Sequence, residues 1–497
     1  MVPENYSLDI QHFFQAQDLK FFLPELTLLF FLVLILFVEL FGNLSFKKII
    51  PVFALIAISV SLSITGTSVN KNFSKEFFFS DLLVYDYLST FFKIVVDVAA
   101  FIFILYRYIL SSKAVPRSYY VKAEFYLIFI ALLIGLHLLT MSVHFATLYL
   151  SLELVSITGY LLVAIAEEKN SFEAAGKYII YGIGVSAIML YGLSLLYAMS
   201  GTLYLTSLSQ IATPAQWIIL FLVSSGILFK LAVSPFHWWA PDVYQGSPTP
   251  LAAFLSVVPK AGGLLVLVRL CIELTHQFTL YQEYLQIGLS VLAMGTITFG
   301  NFSALWQNNA KRLLAYSSIA HSGFLLAGIA SASETGIIAI LFYFFIYLFM
   351  NFVAFLVVDF IAMHVHSEDV HKFRGIGMQV PFLGVIFVVI MMALTGLPPT
   401  AGFYAKFFVF SALWESYHQT SLNILLLLLI FGILNTVISL FFYFKIPYLM
   451  FFKSNAETID IRVSSRLIIF FCLLTVPVVV LFFDPEIVLV YINYWID

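Results

Sequence analysis

Apolar runs long enough to cross a bilayer, about 20 residues each, recur along the whole chain near residues 21–41, 50–68, 85–111, 122–142, 143–166, 173–199, 216–258, 260–278, 283–306, 312–331, 335–364, 380–416, 421–446 and 466–493. This pattern predicts about fourteen transmembrane helices; the third, seventh and twelfth runs carry charges and score weakest as spans. Two runs share a rare construction. Residues 216–258 are interrupted by Ser234-Pro235-Phe236-His237, and residues 380–416 by Thr395-Gly396-Leu397-Pro398-Pro399-Thr400-Ala401-Gly402. A proline supplies no N–H to the helix, so helices 7 and 12 are predicted to break there and leave carbonyls open to water or side chains. Each run has a lysine within two turns of its break, Lys230 before the first and Lys406 after the second. The two runs are five spans apart, an odd number, so they enter the membrane from opposite faces, as in an inverted repeat with ion sites near the midplane. The predicted organisation is an N-terminal unit (1–121, spans 1–3), a first five-helix repeat (122–282, spans 4–8), a second, inverted one (283–446, spans 9–13) and a C-terminal helix (447–497, span 14).

Composition agrees with the pattern. The chain is 62% hydrophobic and 10% charged with a mean hydropathy of +1.01, where soluble domains carry roughly 25% charge. It reads as an all-α polytopic membrane protein. The net charge of −3 gives no basic face for nucleic acid. Cys271 and Cys472 both fall in apolar runs, so neither a disulfide framework nor a CxxC metal site is expected, and no haem or iron–sulfur ligation can be read. The first twenty residues include Glu4, Asp9 and Asp18, unlike the basic start of a signal peptide, so the first span is expected to stay uncleaved.

Loop charges test the map independently. Lys47, Lys48, Arg107, Lys113, Arg117, Lys122, Lys169, Lys311, Arg312, Lys372, Arg374, Lys445, Lys453, Arg462 and Arg466 all follow odd-numbered spans, whereas the even loops carry Lys71 and Lys75. The positive-inside rule then puts the odd loops on the cytoplasmic or matrix side and both termini on the opposite face.

A charge at the centre of a bilayer costs about 3 kcal/mol on insertion scales, so the ionisable residues inside the spans are the candidate chemistry. They are Glu153, Lys177, Lys230, Lys260 and Lys406, with Lys93 and Asp97 in span 3. Lys93 and Asp97 are spaced to neutralise each other as an i,i+4 pair. Lys177 and Lys260 lie close enough to span ends to snorkel. Lys230 and Glu153 lie several residues from any interface, and a buried lysine near a carboxylate can gain or lose its proton as its surroundings change. His237, beside the first break, is either a member of such a relay or a cap for open carbonyls. His364, His366 and His371 flank Glu368 and Asp369 in a polar loop, with no zinc spacing.

The stretch Phe229-Lys230-Leu231-Ala232-Val233-Ser234-Pro235-Phe236-His237-Trp238-Trp239-Ala240-Pro241-Asp242-Val243-Tyr244-Gln245-Gly246-Ser247-Pro248-Thr249-Pro250, ending in Val258-Pro259-Lys260, resembles the antiporter-like subunits of respiratory complex I. So do Lys311-Arg312-Leu313-Leu314-Ala315-Tyr316-Ser317-Ser318-Ile319-Ala320-His321 and Gly396-Leu397-Pro398-Pro399-Thr400-Ala401-Gly402-Phe403-Tyr404-Ala405-Lys406. The resemblance covers nearly the whole chain. Ala240-Pro241-Asp242, Val258-Pro259-Lys260 and Lys406 are similar to the N-type branch (mitochondrial subunit 2), where the L and M types and the Mrp antiporters tend to differ.

The resemblance implies a proton-translocating, non-redox subunit of NADH:quinone oxidoreductase. It assigns Glu153 and Lys230 to the charge pair of a first half-channel, Lys177 and Lys260 to links toward the centre, and Lys406 to the terminal site of a second half-channel. It further implies neighbouring M-, K- and J-type subunits, a lipid bilayer of an energy-coupling membrane, and NADH, FMN, iron–sulfur clusters and quinone held elsewhere in the complex, with no cofactor or metal in this chain. A subunit of a cation/proton antiporter, or of a ferredoxin- or hydrogenase-linked complex, is the alternative reading, and a structural scaffold the third.

Overall fold

The computed structural model describes residues 18–42, 47–68, 75–110, 123–210, 215–277, 279–453 and 461–494; Lys71, Lys113, Arg117 and Lys122 and both chain ends lie outside them. Helices α1 (Leu23–Phe41) and α2 (Ile50–Ser68) lead to an antiparallel hairpin, β1 (Glu76–Phe78) and β2 (Leu83–Tyr85), in which Glu76 faces Tyr85. Then follow α3 (Tyr87–Leu110), α4 (Ala123–Met141), α5 (Phe145–Ala164), α6 (Lys169–Ser200), α7 (Ala215–Lys230), α8 (Trp239–Gly246), α9 (Thr249–Gln277), α10 (Thr279–Leu305), α11 (Ala310–Ala330), α12 (Glu334–Val365), α13 (Pro381–Thr395), α14 (Ala401–Thr420), α15 (Asn423–Phe452), α16 (Ser465–Phe483) and α17 (Glu486–Tyr494).

Twelve helices among the described residues are long and apolar enough to cross a membrane, and Gln216–Lys230 and Pro381–Thr395 are shorter apolar helices. Each of the two shorter ones is followed by a second helix after a break, so the two proline-containing runs are interrupted. The chain is an all-α polytopic membrane protein. Helices with no apolar face to spare fill its middle: the spanning window of α9 is 100% buried, α11 94% and α12 83%, against 22% in α1 and 28% in α15. The outer helices turn residues such as Phe37, Leu40, Leu434 and Phe441 outward, as expected of lipid-facing surface.

One boundary differs from the sequence reading. Residues 216–258 and 260–278 do not meet at Pro259: the second half of the broken helix ends at Gly246, and α9 runs without interruption from Thr249 through Pro259 to Gln277. The proline is tolerated because the carbonyl it deprives of an N–H partner, that of Leu255, accepts the Tyr244 hydroxyl at 3.3 Å. Lys260 therefore sits in the middle of a buried helix and not at a span end.

The hairpin turns through Phe79, Ser80 and Asp81, all at positive φ (51°, 54° and 61°). Its apolar residues Phe78, Leu83 and Tyr85 pack with Met141, Leu138, Phe21 and Phe22 as a small second core that covers the ends of α1, α3 and α4.

Candidate functional site: buried lysines at two helix breaks

Lys230 is the last residue of α7, and its side chain is 2% exposed. Its Nζ has no hydrogen-bond partner among the described residues and lies 5.7 Å from the centroid of the Tyr178 ring on α6, a contact that offsets part of the desolvation. The chain leaves the helix through Ala232 at φ 54°. The Ser234 N–H, which a continuous helix would give to the Lys230 carbonyl, goes instead to Thr296 Oγ1 at 3.1 Å, and the Trp239 indole donates to the Phe229 carbonyl at 3.0 Å. Glu153, half-buried on α5, forms no direct ion pair with Lys230; the two line one cavity of about 10 Å³ together with Ser156, Tyr160 and Gly226. That is about the volume one water molecule needs. His237 is 1% exposed, and neither ring nitrogen has a partner among the described residues; its ring lies 4.2 Å from Phe299 and 4.8 Å from Trp238, centroid to centroid. It caps no carbonyl at the break.

The second break is built with the lysine on the other side. Helix α13 ends in Gly396 at φ 89°, a left-handed cap that a residue with a Cβ adopts at a cost. Gly402 lets α14 start against α13: a Cβ there would stand 1.9 Å from the Ala393 carbonyl oxygen. Lys406, 4% exposed, donates from Nζ to the Thr395 carbonyl at 2.7 Å and lies 4.7 Å from the Phe324 ring centroid. In a continuous helix the Thr395 carbonyl would pair with the N–H of residue 399, which is a proline. The lysine fills the place the proline leaves open.

Between the breaks lies Lys260, 0% exposed. Its Nζ donates to the Ser318 carbonyl and hydroxyl, both at 2.6 Å, and to Ser322 Oγ at 2.8 Å, which uses all three of its protons on α11. Tyr347 on α12 donates to Ser318 Oγ at 2.9 Å. One turn further, His321 bonds Tyr343 through Nδ1 at 2.6 Å and Tyr443 through Nε2 at 3.0 Å, and Tyr443 bonds Ser317. The structure makes Ser318 a partner of Lys260 and places His321 between Tyr343 and Tyr443, which only the approach of α12 and α15 reveals.

Lys177 stands apart from this line. Its side chain is 42% exposed and pairs with Glu173 and Asp242, both at 3.0 Å. With Asp242, Lys311, Arg312, Asp359 and Glu368 it lines a cavity of about 720 Å³ at one end of the helices. Arg312 pairs with Asp242 at 2.9 Å and Lys311 with Glu368 at 2.6 Å. Lys177 thus lies at a charged mouth.

The pairing expected of Lys93 and Asp97 does not occur. Lys93 pairs with Glu25 of α1 at 2.8 Å, and Asp97 accepts from Ser61 of α2 at 2.8 Å and meets His137 of α4 at 3.1 Å. Glu25 and His137 fall inside the predicted spans 21–41 and 122–142, so the rule that singles out Lys230 also marks them.

A family model of transmembrane subunits of the NADH:quinone oxidoreductase/Mrp antiporter type matches residues 142–439, more than half of the chain. The NADH-quinone oxidoreductase subunit N of Chlorobium chlorochromatii is 36% identical over 449 residues, covering 88% of this chain and 86% of that protein. The subunit N of Trichlorobacter lovleyi is 34% identical over 466 residues, covering 91% of each. A chain of respiratory complex I from Thermus thermophilus has the same fold at a TM-score of 0.78 and 26% identity, over 94% of this chain and 98% of that one. A chain of the Mrp complex from a Dietzia species gives a TM-score of 0.81 at 16% identity over 95% and 96%, a likeness of fold.

Proposed function

The chain belongs to the NADH:quinone oxidoreductase/Mrp antiporter family of membrane subunits and is similar over most of its length to the N-type subunits, and from that premise we propose that it is a proton-translocating, non-redox membrane-arm subunit of an NADH:quinone oxidoreductase. Quinone reduction in other subunits drives it, and neighbouring M-, K- and J-type subunits hold it in place. Both termini lie on the non-cytoplasmic or non-matrix face. Spans 4–8 and 9–13 act as inverted halves, each contributing one broken helix.

The observation that carries this reading is the set of three lysines, Lys230, Lys260 and Lys406, each no more than 4% exposed and none in an ion pair among the described residues. An apolar side chain would fit these places at lower desolvation cost, so the amines have a use beyond packing. Protons enter at the charged mouth around Lys177 and Asp242. Glu153 and Lys230 hold the first internal position, sharing a cavity with room for one bridging water. Lys260, with Ser318, Ser322 and Tyr347, joins the first half to His321, Tyr343 and Tyr443, and Lys406 terminates the line at the second break. Hydroxyls and an imidazole can each accept one proton and give up another, which is what a relay between amines needs. The cation/proton antiporter alternative rests on likeness of fold, whereas the N-type relatives share about a third of their residues with this chain.

The test is Lys230→Ala and Lys230→Arg in the assembled complex, with quinone reduction and proton uptake measured in reconstituted vesicles. Both variants are expected to assemble and to lose pumping, because alanine has no proton to give and arginine does not release its own. Normal pumping by Lys230→Ala would remove this residue from the pathway.

A further inference from the structure

Outside the lysine line, four ionisable side chains from three helices meet in the covered end of the bundle. Glu25 is 1% exposed, and Lys93, Asp97 and His137 are each 0% exposed. Lys93 Nζ pairs with Glu25 Oε1 at 2.8 Å; His137 Nδ1 faces the same oxygen at 3.0 Å, and His137 Nε2 faces Asp97 Oδ1 at 3.1 Å. Ser61 of α2 donates to the other oxygen of Asp97 at 2.8 Å. The remaining oxygen, Glu25 Oε2, is buried without a partner among the described residues. Tyr85 of β2, its ring centroid 5.5 Å from Lys93 Nζ, and Met141 Sδ at 2.9 Å close the site toward the hairpin. Asp86 and Arg269 pair with each other at 2.8 Å, and Arg269 also donates to the Thr140 carbonyl, three residues along α4 from His137.

Two facts follow from counting protons. A neutral imidazole has a single N–H, yet both nitrogens of His137 face carboxylate oxygens, so either the ring is doubly protonated or one carboxyl is. With that one proton, two carboxylates and one ammonium sum to zero charge. Without it the dry site keeps a net negative charge, which is costly to bury. The location adds a third fact. Helix α5 starts at Phe145, just past the cluster's end of α4, and ends at Ala164, beside Ala166 and Glu168 of the charged cavity. Its 20 residues, at about 1.5 Å each, span roughly 30 Å. The cluster and the charged mouth therefore lie at opposite ends of the helices.

We propose that Glu25, Lys93, Asp97 and His137 form a proton-binding site at the end of the bundle opposite the charged mouth, holding one exchangeable proton between His137 and the two carboxylates. In the transfer step the His137 Nδ1–H bond breaks and a Glu25 Oε1–H bond forms, leaving a neutral imidazole whose Nε2–H donates to Asp97 Oδ1. The ring returns to the imidazolium form when another proton arrives. This inference rests on the reading that the chain moves protons, and it adds a site that the lysine line does not include.

The test uses the assembled complex in vesicles with His137→Lys, Glu25→Gln and Asp97→Asn, alongside Lys230→Ala. His137→Lys keeps a positive charge between the carboxylates but not the two-sided imidazole. It is expected to assemble, judged by native gel, and to lose proton translocation per quinone reduced. Turnover-induced infrared difference spectra of the wild type are expected to contain a carboxyl C=O band that Glu25→Gln or Asp97→Asn abolishes. Wild-type pumping by His137→Lys, or the absence of such a band from the wild-type complex, would make the cluster a structural ion network and overturn the proposal. If His137→Lys fails to assemble, the infrared comparison decides alone. Normal pumping by Lys230→Ala would mark a failure of the functional reading itself, distinct from a failure here.

Discussion

The two broken helices use the same parts, a proline, two half-helices and one buried lysine, yet leave their lysines in opposite states. Lys406 is bound to the Thr395 carbonyl that Pro399 leaves open, whereas Lys230 faces an aromatic ring and a small cavity and has no partner among the described residues. Helix geometry explains the difference. Side chains on an α-helix lean toward its N-terminus. A lysine that follows a break leans back onto the carbonyls the break exposes, and one that precedes a break leans away from them. Lys406 follows and Lys230 precedes. The break therefore supplies a resting place for one ammonium and none for the other, so the two lysines hold protons on different terms.

The largest expected effect sharpens what they share. Lys230→Met and Lys406→Met should each bring pumping in reconstituted vesicles below about a tenth of wild type, a loss equivalent to roughly 1.4 kcal/mol or more in the transfer barrier; one variant pumping normally would show that the two breaks do not serve one path. Their stabilities should then diverge. Lys406→Met orphans the buried Thr395 carbonyl and should cost about 1–3 kcal/mol. Lys230→Met removes an unpartnered buried amine and should leave stability unchanged or raise it by about 1–3 kcal/mol. Thermal denaturation of the purified complexes reads this, and equal shifts would break the comparison.

Gly402→Ala attacks the second break without touching its lysine. Its Cβ would overlap the Ala393 carbonyl, so α14 must move and carry Lys406 away from Thr395. Pumping should fall as it does in Lys406→Met, with about 1–3 kcal/mol of destabilisation from overpacking; no change in either would mean that the tight seat is dispensable. At the first break, Glu153→Gln should lower pumping, and the effect should vanish when Lys230 is already replaced. A double-mutant cycle should give a coupling of about 1 kcal/mol, and full additivity would separate the two residues. The smallest effect is expected at Lys260. Ser322→Ala removes one of its three acceptors and should slow pumping by a few fold, about 1 kcal/mol; an unchanged rate would mean that the two bonds to Ser318 suffice.

How much of this was legible in sequence differs from part to part. The spanning helices and the two breaks could be read directly, because a run of about 20 apolar residues and a proline inside one each act through local rules. The buried lysines stood out for the same reason, as did Glu153. The boundary at Pro259 misled, since a proline ends a helix only if no other group takes up the carbonyl it frees, and Tyr244 does so here. Lys93 and Asp97 misled in the same way: their spacing permits a pair, but α1 and α4 bring Glu25 and His137 closer.

The sequence by itself determined which runs are apolar enough to cross a membrane and where two of them must break, since each follows from the cost of placing a given residue in hydrocarbon and depends on its near neighbours alone. Only the tertiary structure decided who meets whom. It gave Lys260 to Ser318 and Ser322, made His321 a hub between two tyrosines, set Lys177 at the charged mouth and gathered four ionisable groups beneath the hairpin. A buried polar group must find a partner, but which partner depends on helices tens of residues or more apart in the chain packing side by side, and that information is not local.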